Sequence, residues 1–241
     1  MSPLLASLLA LAASLPVIAA VHELGHVAGG RAGGYYVAAA GLGGGRRFLR
    51  VPLGRRFNLF FSPWLLAGGA TVAFPTRLPM PRSAAVAYHY GGIVAQLLLQ
   101  GALHLTYWRW PEVRPLLLPA LGLNALTVMT NLVPYRIRPA GLEVASDGAR
   151  VLAAIRGEPE MTVVPRGGLA LGAWARIEAR LGTAVGRYVL AVCRVRAEVQ
   201  QGREGVSLGE PPEGTPALYR EVAAELKLRT ASPGGGPRSS A

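Results

Sequence analysis

Acidic residues are scarce in this 241-residue chain: 13 stand against 25 basic ones, the formal charge is +12, and Asp147 is the sole aspartate. Chemistry that needs paired aspartates is excluded, and chemistry that needs one must use Asp147. A single cysteine, Cys193, rules out an intrachain disulfide, and no C-x-x-C pair offers a thiolate metal site. Cys193 reads as an ordinary semi-buried thiol. Charge of either sign is thin at 16% of residues while 51% are hydrophobic, a balance that points to several membrane spans rather than a soluble core. The excess arginines have no nucleic-acid-binding motif around them. They fall between and after apolar runs, as cytoplasmic loops of a membrane protein do, so nucleic acid is not an expected partner. Arginine supplies every basic residue but Lys227, a bias that suggests a GC-rich bacterial genome and hence a bacterial plasma membrane.

What is present is His22-Glu23-Leu24-Gly25-His26, an H-E-x-x-H motif at the end of an apolar run that carries no charge from 3 to 21. On a helix the two histidines stand one turn apart on one face. Their imidazoles can occupy two corners of a zinc tetrahedron with Glu23 beside the metal as proton carrier. The alternative is a wet helix end capped by polar residues. Cost argues against it, because ionisable groups in a membrane helix are worth about 2.5–3.5 kcal/mol against insertion and usually mark a functional site.

Residues 3–28 read as a first span with Pro16 as a tolerated kink; Ala19-Ala20 resembles a signal-cleavage site, but no basic region precedes it. Residues 83–108 and 115–135 are charge-free and long enough, at about 1.5 Å per residue, to cross a hydrocarbon core. Tyr35, Tyr36, Tyr107, Trp108, Trp110 and Tyr135 fall at their ends, as interfacial aromatics do. Eight arginines and no acid lie between 30 and 82, which places that loop and the C-terminal tail in the cytoplasm with the motif at the cytoplasmic end of the first span. The loop is β-prone over 35–78, with runs at 47–51, 56–61 and 70–74 punctuated by Gly43-Gly44-Gly45, Ser62-Pro63 and Gly68-Gly69. A hairpin or small sheet against the inner leaflet is expected, either as a structural plug or as an edge that pairs with extended substrate.

A catalytic zinc needs a third protein ligand. Asp147 follows the third span and so lies on the same membrane face as the motif. His89, near the inner end of the second span, is its rival; His104 lies near the outer end, and Glu143 lacks the glycine that follows Asp147.

With these residues the chain resembles the site-2 proteases, zinc metalloproteases that cut within or beside membrane helices. The resemblance rests on the H-E-x-x-H motif in a membrane helix, on Asn131-Leu132-Val133-Pro134 at the end of a later span followed by Asp147-Gly148, and on the glycine-rich β-prone segment between the first two spans. Residues 1–156 would supply the whole core. Two departures stand out. Residues 135–146 separate the proline from Asp-Gly, which are usually a few residues apart, and Gly92-Ile93-Val94-Ala95-Gln96 only loosely matches a G-P-x-x-N element. The resemblance implies zinc held by His22, His26 and Asp147, proton transfer by Glu23, and oxyanion stabilisation by the amide of Asn131.

Beyond 156, a Pro/Gly linker leads to an amphipathic helix over 174–200 with Trp174, Ile177, Leu181, Val185, Tyr188 and Val192 on one face. It either packs on the protein itself or lies on anionic lipid. A short polar helix over 217–229 and a disordered end over 231–241 follow. The sequence thus predicts an all-α polytopic membrane protein: a three-span core (residues 1–156), a membrane-associated β hairpin or sheet, and a cytoplasmic helical tail (157–230). Its expected activity is intramembrane zinc endopeptidase action on a single-pass membrane substrate in the bilayer. The other possibility is a non-catalytic adaptor that binds membrane helices.

Overall fold

A computed structural model describes residues 2–44, 49–53, 57–62, 64–76, 80–137, 144–158, 184–199, 208–215 and 217–231. Helix α1 (Pro3–Ala32) begins where the Ser2 hydroxyl accepts from the Leu5 amide and proline occupies the first turn, and it closes at Gly33. Helices α2 (Arg82–Arg109) and α3 (Arg114–Leu132) follow, joined by a short 3₁₀ turn at Pro111–Val113. α1 and α2 run antiparallel and unusually close. Gly25, Gly29 and Gly33 of one face Gly91, Ala87 and Ala84 of the other, backbone on backbone, and a Cβ at Gly25 would overlap the Gly91 carbonyl.

Between α1 and α2 the chain forms a four-stranded mixed sheet of order β2-β3-β1-β4. Its strands are β1 (Tyr35–Gly44), β2 (Leu49–Leu53), β3 (Phe57–Phe61) and β4 (Trp64–Pro75). β1 is parallel to β3 and antiparallel to β4, and β2 is antiparallel to β3. Val37, Ala40 and Ala73 pack toward Val27 of α1 and Tyr88 of α2. A register shift between Val37 and Ala39 turns both Ala38 and Ala39 to the opposite face with Phe60, Val72 and Phe74. There they share one apolar cluster with α5 (Ala184–Val199) and α6 (Ala217–Ala231). Phe60 and Phe74 are fully buried in it, each worth about 1.5–3 kcal/mol of transfer energy.

The expectation of an all-α, three-span polytopic protein is therefore wrong. Among the described residues six helices accompany a four-stranded sheet, and helices pack on both faces of that sheet instead of its lying as a hairpin or small sheet against a leaflet. Among the described residues only two helical stretches are apolar and long enough to cross a membrane, Leu5–Ala32 and Pro111–Leu132, and together they support membrane association. Both expose large side chains such as Leu8, Leu9, Leu118 and Leu126. The region expected as the second span forms α2, but being free of charge did not make it apolar. His89, Gln96, Gln100 and His104 dilute it, and His89 and Gln96 are turned inward and buried.

In the tail, Tyr188 and Val192 of α5 are buried on the sheet while Arg187 and Arg194 are exposed, so this part of the helix packs on the protein. Trp174, Ile177 and Leu181 lie outside the described residues, as do Glu143 and the end over 232–241. Cys193 is wholly buried in the same cluster, not half-buried as its sequence context suggested.

Candidate metal centre

His22 and His26 sit one turn apart on α1, on the side that faces α2. Nε2 of the two rings are 2.9 Å apart, and Asp147 Oδ2 lies 2.9 Å from the first and 3.3 Å from the second. Bonds of about 2.0–2.1 Å at tetrahedral angles, as zinc makes, set ligand atoms ~3.3 Å apart, so these atoms stand near the spacing of one face of such a tetrahedron. Among the described residues this is the one convergence of His, Cys, Asp or Glu suited to a metal. His89 is not part of it: its ring centre is 6.4 Å from that of His26 and packs on Tyr88. His104 is exposed and bonds to Gln100 on its own helix.

The protons on the rings show what the trio can hold. His26 Nδ1 donates to the Tyr88 carbonyl at 2.8 Å, and His22 Nδ1 donates to Gln96 Oε1 at 3.0 Å. Each neutral imidazole then presents a bare Nε2 lone pair, and Asp147 Oδ2 is a buried oxygen that receives no hydrogen bond from them. Three lone pairs pointing at one another repel unless a proton or a cation lies between, and neutral His with an oriented second nitrogen is the form that binds metal. Burial of the Asp147 carboxyl acts to raise its pKa. When a proton rather than a metal occupies the trio, the ring that carries it hydrogen-bonds to Asp147, and this bond and its charge outweigh burial and hold the carboxyl well below the ordinary carboxylate range. Asp147 is thus ionised at neutral pH, and protons compete with a metal only at the imidazoles.

Local structure explains how Asp147 returns to α1. The long insert after Pro134 folds back as a two-stranded ladder, β5 (Arg136–Ile137) against β6 (Val144–Ala145). Ser146 closes it: its amide donates to the Tyr135 carbonyl and its hydroxyl to the Val133 carbonyl. The same hydroxyl accepts from the Ala149 amide and so caps α4 (Asp147–Arg156). With β5 paired to β6, Asp147 emerges near Pro134 despite the residues between them. Gly148 lets α4 lie against the end of α3, where a Cβ would overlap the Leu132 carbonyl.

Glu23 is buried beside the trio, under strand β4. The Thr71 hydroxyl donates to Glu23 Oε2 at 2.7 Å, and the Tyr88 hydroxyl donates to the Thr71 carbonyl at 3.1 Å. Gly69 passes directly over the acid, where a Cβ would stand 2.5 Å from Glu23 Cγ. Gly68-Gly69, which the sequence suggested as a turn, lies inside β4 and clears space for Glu23. Asn131 is drawn to the site as well, its amide donating to Gln96 Oε1 at 3.2 Å. Thr71, Gly69, Gly92 and Gln96 are site residues that the sequence does not mark as such: Gly69 reads as punctuation, Thr71 as part of a β-prone run, and Gly92 and Gln96 as a loose motif match.

Gly92 of α2 faces both imidazoles. A Cβ there would lie 2.6 Å from His22 Cε1 and 2.7 Å from His26 Nε2, inside contact distance of ring atoms that are themselves held. Gly92→Ala is expected to displace the rings and weaken metal binding at least tenfold, measured by competition with a chromophoric chelator. Gly101→Ala on the same helix is the control, since nothing lies within 4 Å of its Cβ. That variant should bind metal normally and gain the ~1 kcal/mol that alanine offers over glycine in a helix.

Protein-family models, curated proteins and solved structures were each compared with the chain, and none of the three gave a match.

Proposed function

We propose that this protein is a membrane-associated zinc endopeptidase of the site-2 protease type, which hydrolyses a peptide bond in or near a substrate transmembrane helix. The observation that carries the reading is a buried glutamate beside a convergent His22, His26 and Asp147 trio, next to helices apolar enough for a bilayer. Two nitrogens and one carboxylate oxygen, with a fourth position left for substrate or water, are a zinc hydrolase's donor set. When bound, zinc would supply polarisation of the scissile carbonyl and a lowered pKa for water.

The chain's own residues do the rest. Glu23 takes a proton from the attacking water and returns it to the leaving amine. Thr71 holds the Glu23 carboxylate in place through its hydroxyl. The Asn131 amide carries two N–H groups; Gln96 uses one, and the other is suited to the developing oxyanion. β4 is an edge strand over the acid, so an unwound substrate segment can pair along it. A helical substrate hides its carbonyls in its own hydrogen bonds and must unwind locally first, which favours helix-breaking residues near the cut. The arginine-rich segment over 30–82 supports a site near the cytoplasmic face of a bacterial plasma membrane, with the C-terminus cytoplasmic.

Co-expression with candidate single-pass membrane proteins tests the reading. A shortened product that disappears on metal chelation and returns with zinc is expected. If zinc is bound yet no product forms across a broad substrate panel, the chain is an adaptor for membrane helices. Thr71→Val removes one hydrogen bond to a charged acid, worth about 1.5–3 kcal/mol. It should lower kcat roughly 10- to 100-fold without releasing metal, and Thr71→Ser should restore it.

A further inference from the structure

Gln96 is the buried side chain that joins His22 of the metal centre to α3. It is 1% exposed, and both polar atoms of its side-chain amide are engaged. Its Oε1 meets His22 Nδ1 at 3.0 Å and Asn131 Nδ2 at 3.2 Å, and its Nε2 meets Thr127 Oγ1 at 3.0 Å. The direction of each bond is forced from the far end. The one proton of the Thr127 hydroxyl goes to the Asn124 carbonyl at 2.9 Å, so Thr127 Oγ1 must accept from Gln96. The Gln96 atom facing Thr127 is therefore its NH₂, and the atom facing His22 is its oxygen. His22 Nδ1 must then carry the hydrogen, which leaves Nε2 bare toward His26 and Asp147. Asn124 anchors the relay by donating to the Gln96 carbonyl at 3.0 Å and to Gln100 Oε1 at 2.7 Å.

We infer that Gln96 is the positioning residue of the metal centre: it reads the hydroxyl orientation of Thr127 on α3 and imposes the metal-binding tautomer on His22 of α1. The inference rests on the metal-centre reading and deepens it. His26 needs no such residue, because its Nδ1 bonds to a backbone carbonyl that has only one possible role. His22 faces a side-chain amide, which would serve equally as donor or acceptor were it not fixed from beyond. Its aim is therefore the one that mutation can change.

The test compares Gln96→Leu, Gln96→Glu and Thr127→Val with wild type in detergent-solubilised full-length protein. Zinc affinity is read by competition with a chromophoric chelator, and His22 by the ¹⁵N shifts of its ring in metal-free, histidine-labelled protein. Gln96→Leu should weaken zinc about 10- to 100-fold, as loss of a ligand's hydrogen-bond partner does, and its His22 should become a mixture of tautomers. Gln96→Glu keeps an acceptor toward His22 and should bind zinc as tightly as wild type or better, with one tautomer. Thr127→Val should give an intermediate loss with Gln96 intact. Wild-type affinity in Gln96→Leu, or an equal loss in Gln96→Leu and Gln96→Glu, overturns the inference, the second because packing would then be the cause. Zinc binding by wild type that Asp147→Ala does not weaken would instead overturn the metal centre. The ring shifts of the metal-free protein still decide the role of Gln96 in that case, and a single His22 tautomer in Gln96→Leu would sink it.

Discussion

Asp147→Ala is expected to leave a folded protein that no longer retains zinc through purification. Removing a partner one bond away from a metal typically costs about 10- to 100-fold in affinity, so loss of a ligand itself should exceed 100-fold. The reason is specific to this site. Among the described residues Asp147 Oδ2 is the anionic donor that joins the two Nε2 atoms in one cluster, at 2.9 and 3.3 Å. Without it, two neutral rings on adjacent turns of one helix remain. Metal content of the purified variant and the visible spectrum of its cobalt form check this directly; stoichiometric zinc with unaltered geometry in Asp147→Ala would remove the basis of the hydrolase reading. Acid should have a related but distinct effect on wild type. The Asp147 pKa is depressed, so its carboxylate, with whatever stability it confers on the fold, persists above the ordinary carboxylate range and is lost only as the pH falls through the folded value. Acid should also release zinc, because a ring nitrogen that takes up a proton no longer offers its lone pair to a metal.

Glu23→Gln should do the opposite: retain zinc and lose activity. The amide matches the carboxylate in size and can still bond to Thr71, so the strand over it has no cause to move. What it cannot do is accept a proton from water and pass it to an amine. General acid–base catalysis contributes about 10²- to 10⁴-fold, and a peptide bond needs both halves, so cleavage should fall by at least ~10³-fold. The product ratio of wild type to Glu23→Gln, at matched expression and metal content, gives the value. Activity within tenfold of wild type would show that another group carries the proton.

The H-E-x-x-H motif and the role expected for Asp147 were legible because each depends on little beyond local order. Helical periodicity alone brings His22 and His26 to one face, and scarcity singled out one aspartate. The two long apolar helices were equally plain. The sheet's central strand was not: Tyr35–Gly44 is a run of alanine and glycine with little β-branched character, and its Gly43-Gly44 end read as a break. It is a strand because its neighbours need it small. Ala38, Ala39 and Ala40 are buried between two layers, and Gly41 lets the Phe60 carbonyl approach. α2 is the reverse case, since the absence of charge over 83–108 does not by itself make the helix apolar.

From the linear order of residues came the two imidazoles, the acid between them, and the single aspartate available to join them. Only tertiary structure could decide that Gly69 makes room for Glu23, that Gly92 does so for the rings, that pairing of β5 with β6 brings Asp147 back to the end of α3, and that Gln96 faces His22 with its oxygen. Each of these depends on what a residue meets across an interface: a missing Cβ has meaning only against the atom it would strike, and an amide's orientation only against the hydroxyl that fixes it.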